Sequence, residues 1–166
     1  MYFPSSGQEQ LGSAGNPSKQ KLLDTGREIM TRAGVCVLIT VDEKCRPDTR
    51  LMDPFPPEQD FTVWLGTNPQ SNKVRQIEGN PNVDLFYMEK DSYGYVVLHG
   101  TAQIVDDPRE KELRWKEGWE AFYPDRSTSY LLIRITPVSM EIVSYAHGIT
   151  GDPVTWQAPT VLFDTK

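Results

Sequence analysis

Three side chains within seven residues could hold a phosphate: Thr67, Ser71 and Lys73 in the stretch Gly66-Thr67-Asn68-Pro69-Gln70-Ser71-Asn72-Lys73. The two hydroxyls can donate hydrogen bonds, and the lysine adds a full positive charge. Ser71 stands at the N-cap position of a short helical run, with Val74 and Ile77 at i,i+3 spacing behind it. A helix start leaves backbone N–H groups without partners and carries positive partial charge, so it attracts an anion. One reading is a phosphate cradle for a nucleotide-like cofactor. The other is a turn through Asn68-Pro69 followed by a capped helix, and the stretch alone leaves both open.

The elements that must position this stretch can be read around it. Phe61–Leu65 precedes it as a strand, and Gly79-Asn80-Pro81-Asn82 stops its helix. Upstream, Ser18 can cap a helix with apolar residues at Leu22, Leu23, Ile29, Met30 and Ala33, ended by Gly34. Val35–Val41 is nearly all apolar and reads as a strand buried on both faces, with Asp48–Met52 returning beside it. Val83–Met88 and Tyr95–Val105 follow as strands, with a bulge or barrel corner expected at Gly100. Asp107-Pro108 opens a helix carrying Leu113, Trp115 and Trp119. Tyr130–Ile135 and Ser139–Ser144 read as two strands joined through Thr136-Pro137. Residues 1–17, rich in Gly, Ser, Gln and Pro, read as a flexible tail, and 147–166 as an extended arm. Hairpin-length turns predict a mainly antiparallel sheet of six or seven strands with a few helices, closed or partly closed into a barrel spanning 18–146.

Composition narrows the function. Seventeen Lys and Arg against 23 Asp and Glu give a net charge of −6, which disfavours general binding to nucleic acid or an anionic membrane. The longest apolar run, Val35-Cys36-Val37-Leu38-Ile39, is far short of the ~20 residues of a membrane span. No Lys or Arg precedes Lys19 and no apolar leader is evident, so a cytoplasmic protein is expected. Two cysteines without a C-x-x-C, and two well-separated histidines, predict no metal site. His99 reads as a strand or interface residue and His147 as a loop residue. No Ser/His/Asp arrangement or carboxylate pair supports a hydrolase.

The order and spacing of these segments resemble the flavin-binding split-barrel family, whose best-known member is pyridoxamine 5′-phosphate oxidase, and within it the general stress protein 26-like group. The marks are Val35–Arg46 with its acidic turn, Arg50-Leu51-Met52, Trp64–Thr67 with Ser71 and Lys73, Asn80–Val83, Gly100-Thr101-Ala102 ahead of Asp106-Asp107-Pro108, Trp115, Phe122-Tyr123-Pro124 and Leu131–Pro137. The resemblance implies a homodimer with flavin mononucleotide (FMN) at the subunit interface and turns the reading of the central stretch toward the cradle. By that resemblance Arg50 and Lys73 hold the phosphate and Thr67 and Ser71 add hydroxyls. The backbone of Leu51, Met52, Leu65 and Gly66 lines the ribityl chain and ring, Tyr95 reaches the flavin across the dimer, and Trp115 is a ring neighbour. Asn72 stands where the oxidases proper carry a second basic residue, which weakens the phosphate grip or shifts it to the Asn72 amide. Those oxidases also hold substrate with an Arg-x-His, whereas Val97 and Tyr145 precede the two histidines here. The expected function is a flavin-dependent oxidoreductase that does not oxidise pyridoxamine phosphate, with NADH or NADPH as candidate reductants. The alternatives are a non-catalytic flavin carrier or redox sensor, and a split barrel that binds deazaflavin or haem.

Overall fold

A computed structural model describes residues 17–164; the expected N-terminal tail lies almost wholly outside them. Helix α1 (Lys19–Ala33) is built as its sequence dictates. The Ser18 hydroxyl accepts from the Lys21 N–H at 3.2 Å, Leu22, Ile29, Met30 and Ala33 are buried, and Gly34 closes the helix at φ 71°. Gly26 lies within the unbroken helix close against β6, where a Cβ would sit 2.7 Å from the Met140 methyl.

Seven antiparallel strands form one sheet: β1 (Cys36–Val41), β2 (Pro47–Met52), β3 (Val63–Thr67), β4 (Asn82–Met88), β5 (Tyr95–Val105), β6 (Leu131–Val143) and β7 (Thr160–Leu162). The order is β2-β1-β4-β5-β6-β3, with β7 added to β6. The two end strands, β2 and β3, share no ladder; the segment after β2 reaches β3 through an isolated Pro54–Leu65 bridge, with the Phe55 N–H donating to the Trp64 carbonyl at 2.9 Å, so the barrel stays split along that seam. Helix α2 (Asn72–Gly79) follows β3 and packs back onto β1 and β5.

Four sequence expectations are corrected. First, β1 is not buried on both faces: it alternates, with Cys36, Leu38 and Thr40 inside and Val37, Ile39 and Val41 partly open. Second, Thr136-Pro137 does not divide two strands. β6 runs unbroken for 13 residues, because one strand can bend there: the β5–β6 register shifts between His99 and Gly100, opposite Pro137. Gly100 is needed at that bend, since a Cβ would lie 2.8 Å from the Thr136 carbonyl oxygen. Third, Trp115 and Trp119 are not successive turns of one helix. α3 (Pro108–Leu113) ends at Arg114, Gly118 takes φ 85°, and Trp119–Ala121 is a separate 3-10 turn. β3 also starts two residues later than the run Phe61–Leu65, because Phe61 adopts φ 66° in the preceding turn.

Most buried apolar side chains form one core between α1 and the inner face of the sheet. A second, aromatic cluster of Trp64, Trp119, Tyr130 and Leu132, edged by Phe55, Trp115 and Tyr123, packs outside β3. Residues 147–164, read from sequence as an arm, fold back on their own chain: β7 pairs with β6, and Phe163 packs on Phe61 with ring centroids 5.3 Å apart. No helix among the described residues is long and apolar enough to cross a membrane.

Burial also separates the two cysteines. It pushes the Cys36 thiol up to about 12, whereas Cys45 is exposed in the β1–β2 turn. A thiolate-selective alkylating reagent is therefore expected to modify Cys45 alone in the native protein and both thiols in urea, as mass spectrometry would read. Two fast modifications without denaturant would contradict the placement of Cys36.

Candidate functional site

The seam between β2 and β3 gathers the polar residues that the sequence singled out. Thr67 is the last residue of β3 and is buried, its side chain turned from the aromatic cluster toward the core side of the strand. Its hydroxyl lies 3.0 Å from the Ser71 hydroxyl and accepts from Lys73 Nζ at 3.3 Å. Ser71 occupies the N-cap position of α2 but makes no side-chain cap bond, because its hydroxyl is turned to Thr67. The Val74 N–H donates to the Ser71 carbonyl at 3.1 Å, and the Asn72 and Lys73 N–H groups are left for another acceptor.

Lys73 is half-buried, and among the described residues no carboxylate stands within 4.0 Å of its ammonium. Loss of hydration lowers its pKa from the ordinary lysine value, the nearby Arg50 charge lowers it further, and Asp48 partly opposes both. A buried-side cation beside a second cation, with no paired anion, is a site whose electrostatics favour an incoming anion.

Arg50 is fixed by its neighbours. Its guanidinium donates to the Thr40 hydroxyl at 2.6 Å, the Leu38 carbonyl at 3.4 Å and the Gln76 side-chain oxygen at 3.0 Å, and it pairs with Asp48 at 2.7 Å. These contacts occupy both terminal nitrogens, so Arg50 supplies charge to the seam and a phosphate would compete with Asp48 for direct bonds. Gln76 also donates to Asp48 at 3.0 Å and receives the Thr40 hydroxyl at 2.6 Å, tying α2 to β1 and β2. Sequence reasoning missed Thr40, Asp48 and Gln76. The one signal for Gln76 was its place one helical turn beyond Lys73.

The remaining predicted residues divide clearly. Leu65 is fully buried in the core, and Gly66 presents its backbone to the aromatic cluster: a Cβ there would lie 2.7 Å from the Trp119 ring. Met52 is partly buried against the core, while Leu51 points outward and is 68% exposed. Asn72 is exposed, and its side-chain oxygen takes a hydrogen bond from Arg75 at 3.1 Å instead of turning to the seam. Arg75 is itself exposed, on the solvent side of α2. Tyr95 opens β5 on the outer face of the sheet and stacks on Phe86 at 5.8 Å. Trp115 is not brought to the seam. It packs edge-on to Trp119 and Tyr130, behind Gly66, under the Arg126 guanidinium at 3.9 Å. His99 lies between Asp84 (2.6 Å) and Glu141 (3.5 Å) on the outer face, and His147 hydrogen-bonds the buried Ser144 hydroxyl at 2.8 Å. Among the described residues no group of three or more His, Cys, Asp or Glu could hold a metal ion.

General stress protein 26 of Bacillus subtilis is 28% identical over 130 residues, covering 76% of this chain and 88% of that protein. The crystal structure of the General Stress Protein 26 from Bacillus anthracis matches with a TM-score of 0.65 at 28% identity, over 74% of this chain and 93% of that one. A pyridoxamine 5′-phosphate oxidase-related, FMN binding protein from Nostoc punctiforme shares the fold, with a TM-score of 0.59 at 13% identity, over 91% of this chain and all (100%) of that one. The model of the pyridoxamine 5′-phosphate oxidase like family matches residues 21–145, from the first helix through the end of β6. The chain is a member of the pyridoxamine 5′-phosphate oxidase-like family.

Proposed function

We propose that this protein binds FMN in the seam between β2 and β3 and works as a flavin-dependent oxidoreductase. The observation that carries the reading is the half-buried Lys73, without a paired carboxylate, beside two hydroxyls and an uncapped helix start. A flavin phosphate bears close to two negative charges and three acceptor oxygens, which suits that donor set. Family membership and an FMN-binding structural neighbour support the same cofactor.

In this reading Lys73 holds the phosphate by charge, and the Thr67 and Ser71 hydroxyls turn from each other to donate to it. The Asn72 and Lys73 N–H groups at the start of α2 add directional bonds, and Arg50 adds a second charge from a position fixed by Thr40 and Gln76. The backbone of β2 at Leu51 and Met52 and of β3 at Leu65 and Gly66 forms the two walls of the seam along which the remainder of the cofactor would lie. The cofactor, when bound, supplies the hydride or electron chemistry, and the chain positions it and shields it from water.

A second copy completes the proposal. The outer face of the sheet carries Leu51, Val37, Ile39, Phe86, Tyr95 and Val97, apolar side chains left wholly or partly open. We infer that they meet in a homodimer, which would bring Tyr95 of the second copy toward the cofactor. Light scattering at micromolar concentration is expected to give twice the chain mass, and a folded monomer that binds FMN would refute the dimer.

The deciding experiment is spectroscopic. The purified protein is expected to be yellow or to become so on adding FMN, and to bleach under anaerobic NADH or NADPH. A yellow protein that neither nucleotide reduces would make it a flavin carrier. A protein that takes up no FMN would overturn the cofactor. Because no Arg-x-His is present, turnover of pyridoxamine phosphate is expected to stay below ~1 s⁻¹, the low end of ordinary enzyme rates, in a peroxide-coupled assay.

A further inference from the structure

Away from the seam, at the end of the sheet where β5 begins, a cleft of about 350 Å³ is lined by Tyr93, Tyr95, Val143, Tyr145, Asp152 and Trp156 among others. That volume suits the head of a small ligand. Three of its rings are unusually open: Tyr93 is 93% exposed, Trp156 85% and Tyr145 65%. Aromatic side chains clustered in the open mark a recognition surface.

The loop that presents Trp156 is built, not slack. Its N–H donates to the Asp152 carbonyl at 2.8 Å, and the Asp152 N–H donates to the Gln157 carbonyl at 2.9 Å. Asp152 Oδ1 accepts from the Val154 N–H, the Thr155 N–H and the Thr155 hydroxyl at 2.9, 2.7 and 3.0 Å. This bracing holds Trp156 at φ 62°, a backbone region that a bulky residue rarely adopts. The strained residue is also the tryptophan of the cleft.

Charge selects the occupant. No lysine, arginine or histidine lines the cleft. The N–H groups of Thr155 and Val154 hold the Asp152 carboxyl below the usual range, so it is ionised at neutral pH, and its Oδ2 takes part in none of the bonds just described. Aromatic faces present negative potential, and with a carboxylate among them they attract a cation whose skin is apolar. We propose that this cleft binds a small organic cation, an alkylated ammonium or N-alkylpyridinium head, with Trp156 and the tyrosines around it and Asp152 as counter-charge. None of Arg50, Thr67, Ser71 and Lys73 lines it, whereas Tyr95 does, so in the proposed homodimer the cleft would adjoin the flavin of the second copy.

The test uses choline, the N-methylpyridinium ion and the neutral carbon isostere of choline as probes on the full chain. Binding would be followed by the upfield shift of ligand methyl protons and by tryptophan fluorescence, with and without added FMN. Both cations, or one of them, are expected to bind saturably, which separates a tetrahedral from a planar guest. The isostere should bind at least about tenfold more weakly. Trp156→Ala and Tyr145→Ala should each weaken the cation about 2- to 30-fold, the equivalent of one cation–π contact, with FMN uptake unchanged. Asp152→Asn, which keeps the acceptor for the loop, should weaken the cation and spare the isostere. Equal binding of the isostere, no saturable binding of either cation, or wild-type affinity in both aromatic variants would overturn the proposal. It would also be overturned if no cation bound and Trp156→Ala lowered the mass seen by light scattering, because the occupant would then be a second copy.

Discussion

Lys73→Ala is expected to weaken FMN binding about 10- to 150-fold, the equivalent of one charge-assisted contact of roughly 1.5–3 kcal/mol, while riboflavin, which lacks the phosphate, binds wild type and variant alike. The cost to the fold should be small. Lys73 makes one 3.3 Å hydrogen bond to Thr67, and a cation at a helix start opposes the helix dipole. Its lowered pKa carries the same message. Between that lowered value and the unfolded one, the unfolded chain holds more protons, so the flavin-free protein gains stability as pH rises through that window. Below the window, the charged Lys73 costs stability that the alanine variant recovers. FMN affinity should run the other way, falling as pH rises through the lowered pKa, and Lys73→Ala should flatten that alkaline fall. Arg75→Ala should do far less, because Arg75 is exposed and bonded to Asn72. Flavin fluorescence with two ligands on three proteins reads all of this. If Lys73→Ala holds FMN as tightly as wild type, the cradle is elsewhere; if it loses riboflavin equally, Lys73 supports the ring or the fold.

Leu98→Ala should cost about 2–5 kcal/mol, the range for emptying a buried leucine site. For a chain of this size that lowers the melting temperature by about 4–20 °C. Leu98 is fully buried, at the middle of β5 between β4 and β6, opposite Leu85 and Met140. Its neighbour Val97 faces the other way, partly open on the outer face. Val97→Ala should leave the isolated fold almost unchanged and act on the proposed homodimer, raising its dissociation constant. Calorimetry and light scattering on the pair test the register of β5 and the use of the outer face together. If Val97→Ala melts as early as Leu98→Ala at a dilution where the chain is monomeric, the alternation is misassigned.

Much of the fold was legible because local chemistry and tertiary structure agree. Ser18 and Gly34 mark the ends of α1, and Tyr95–Val105 is a strand by its composition. Gly100 marks the bend by lacking a side chain where the Thr136 carbonyl passes. Where sequence reading failed, a distant partner had overridden a local signal. Pro137 looked like a strand end, but the loss of its N–H is absorbed by the register shift opposite Gly100. Val37 and Ile39 looked like the interior of a doubly covered strand, yet the fold covers one face only.

The site divides along the same line. Thr67, Ser71 and Lys73 lie within one turn and one helix start, so their spacing alone brings their polar groups together. Sequence could not settle whether Ser71 caps the helix or turns to Thr67, because both acceptors and donors are within reach of one hydroxyl. Only the tertiary structure brings Arg50 and Thr40 to Gln76, 26 and 36 residues apart along the chain, and it leaves Trp115 behind Gly66 instead of at the seam. The physical reason is the split itself. Residue types determine which segments become strands and helices, but the seam's contents depend on how the seven-stranded sheet brings the end of β2 to β3, where Pro54 bridges Leu65.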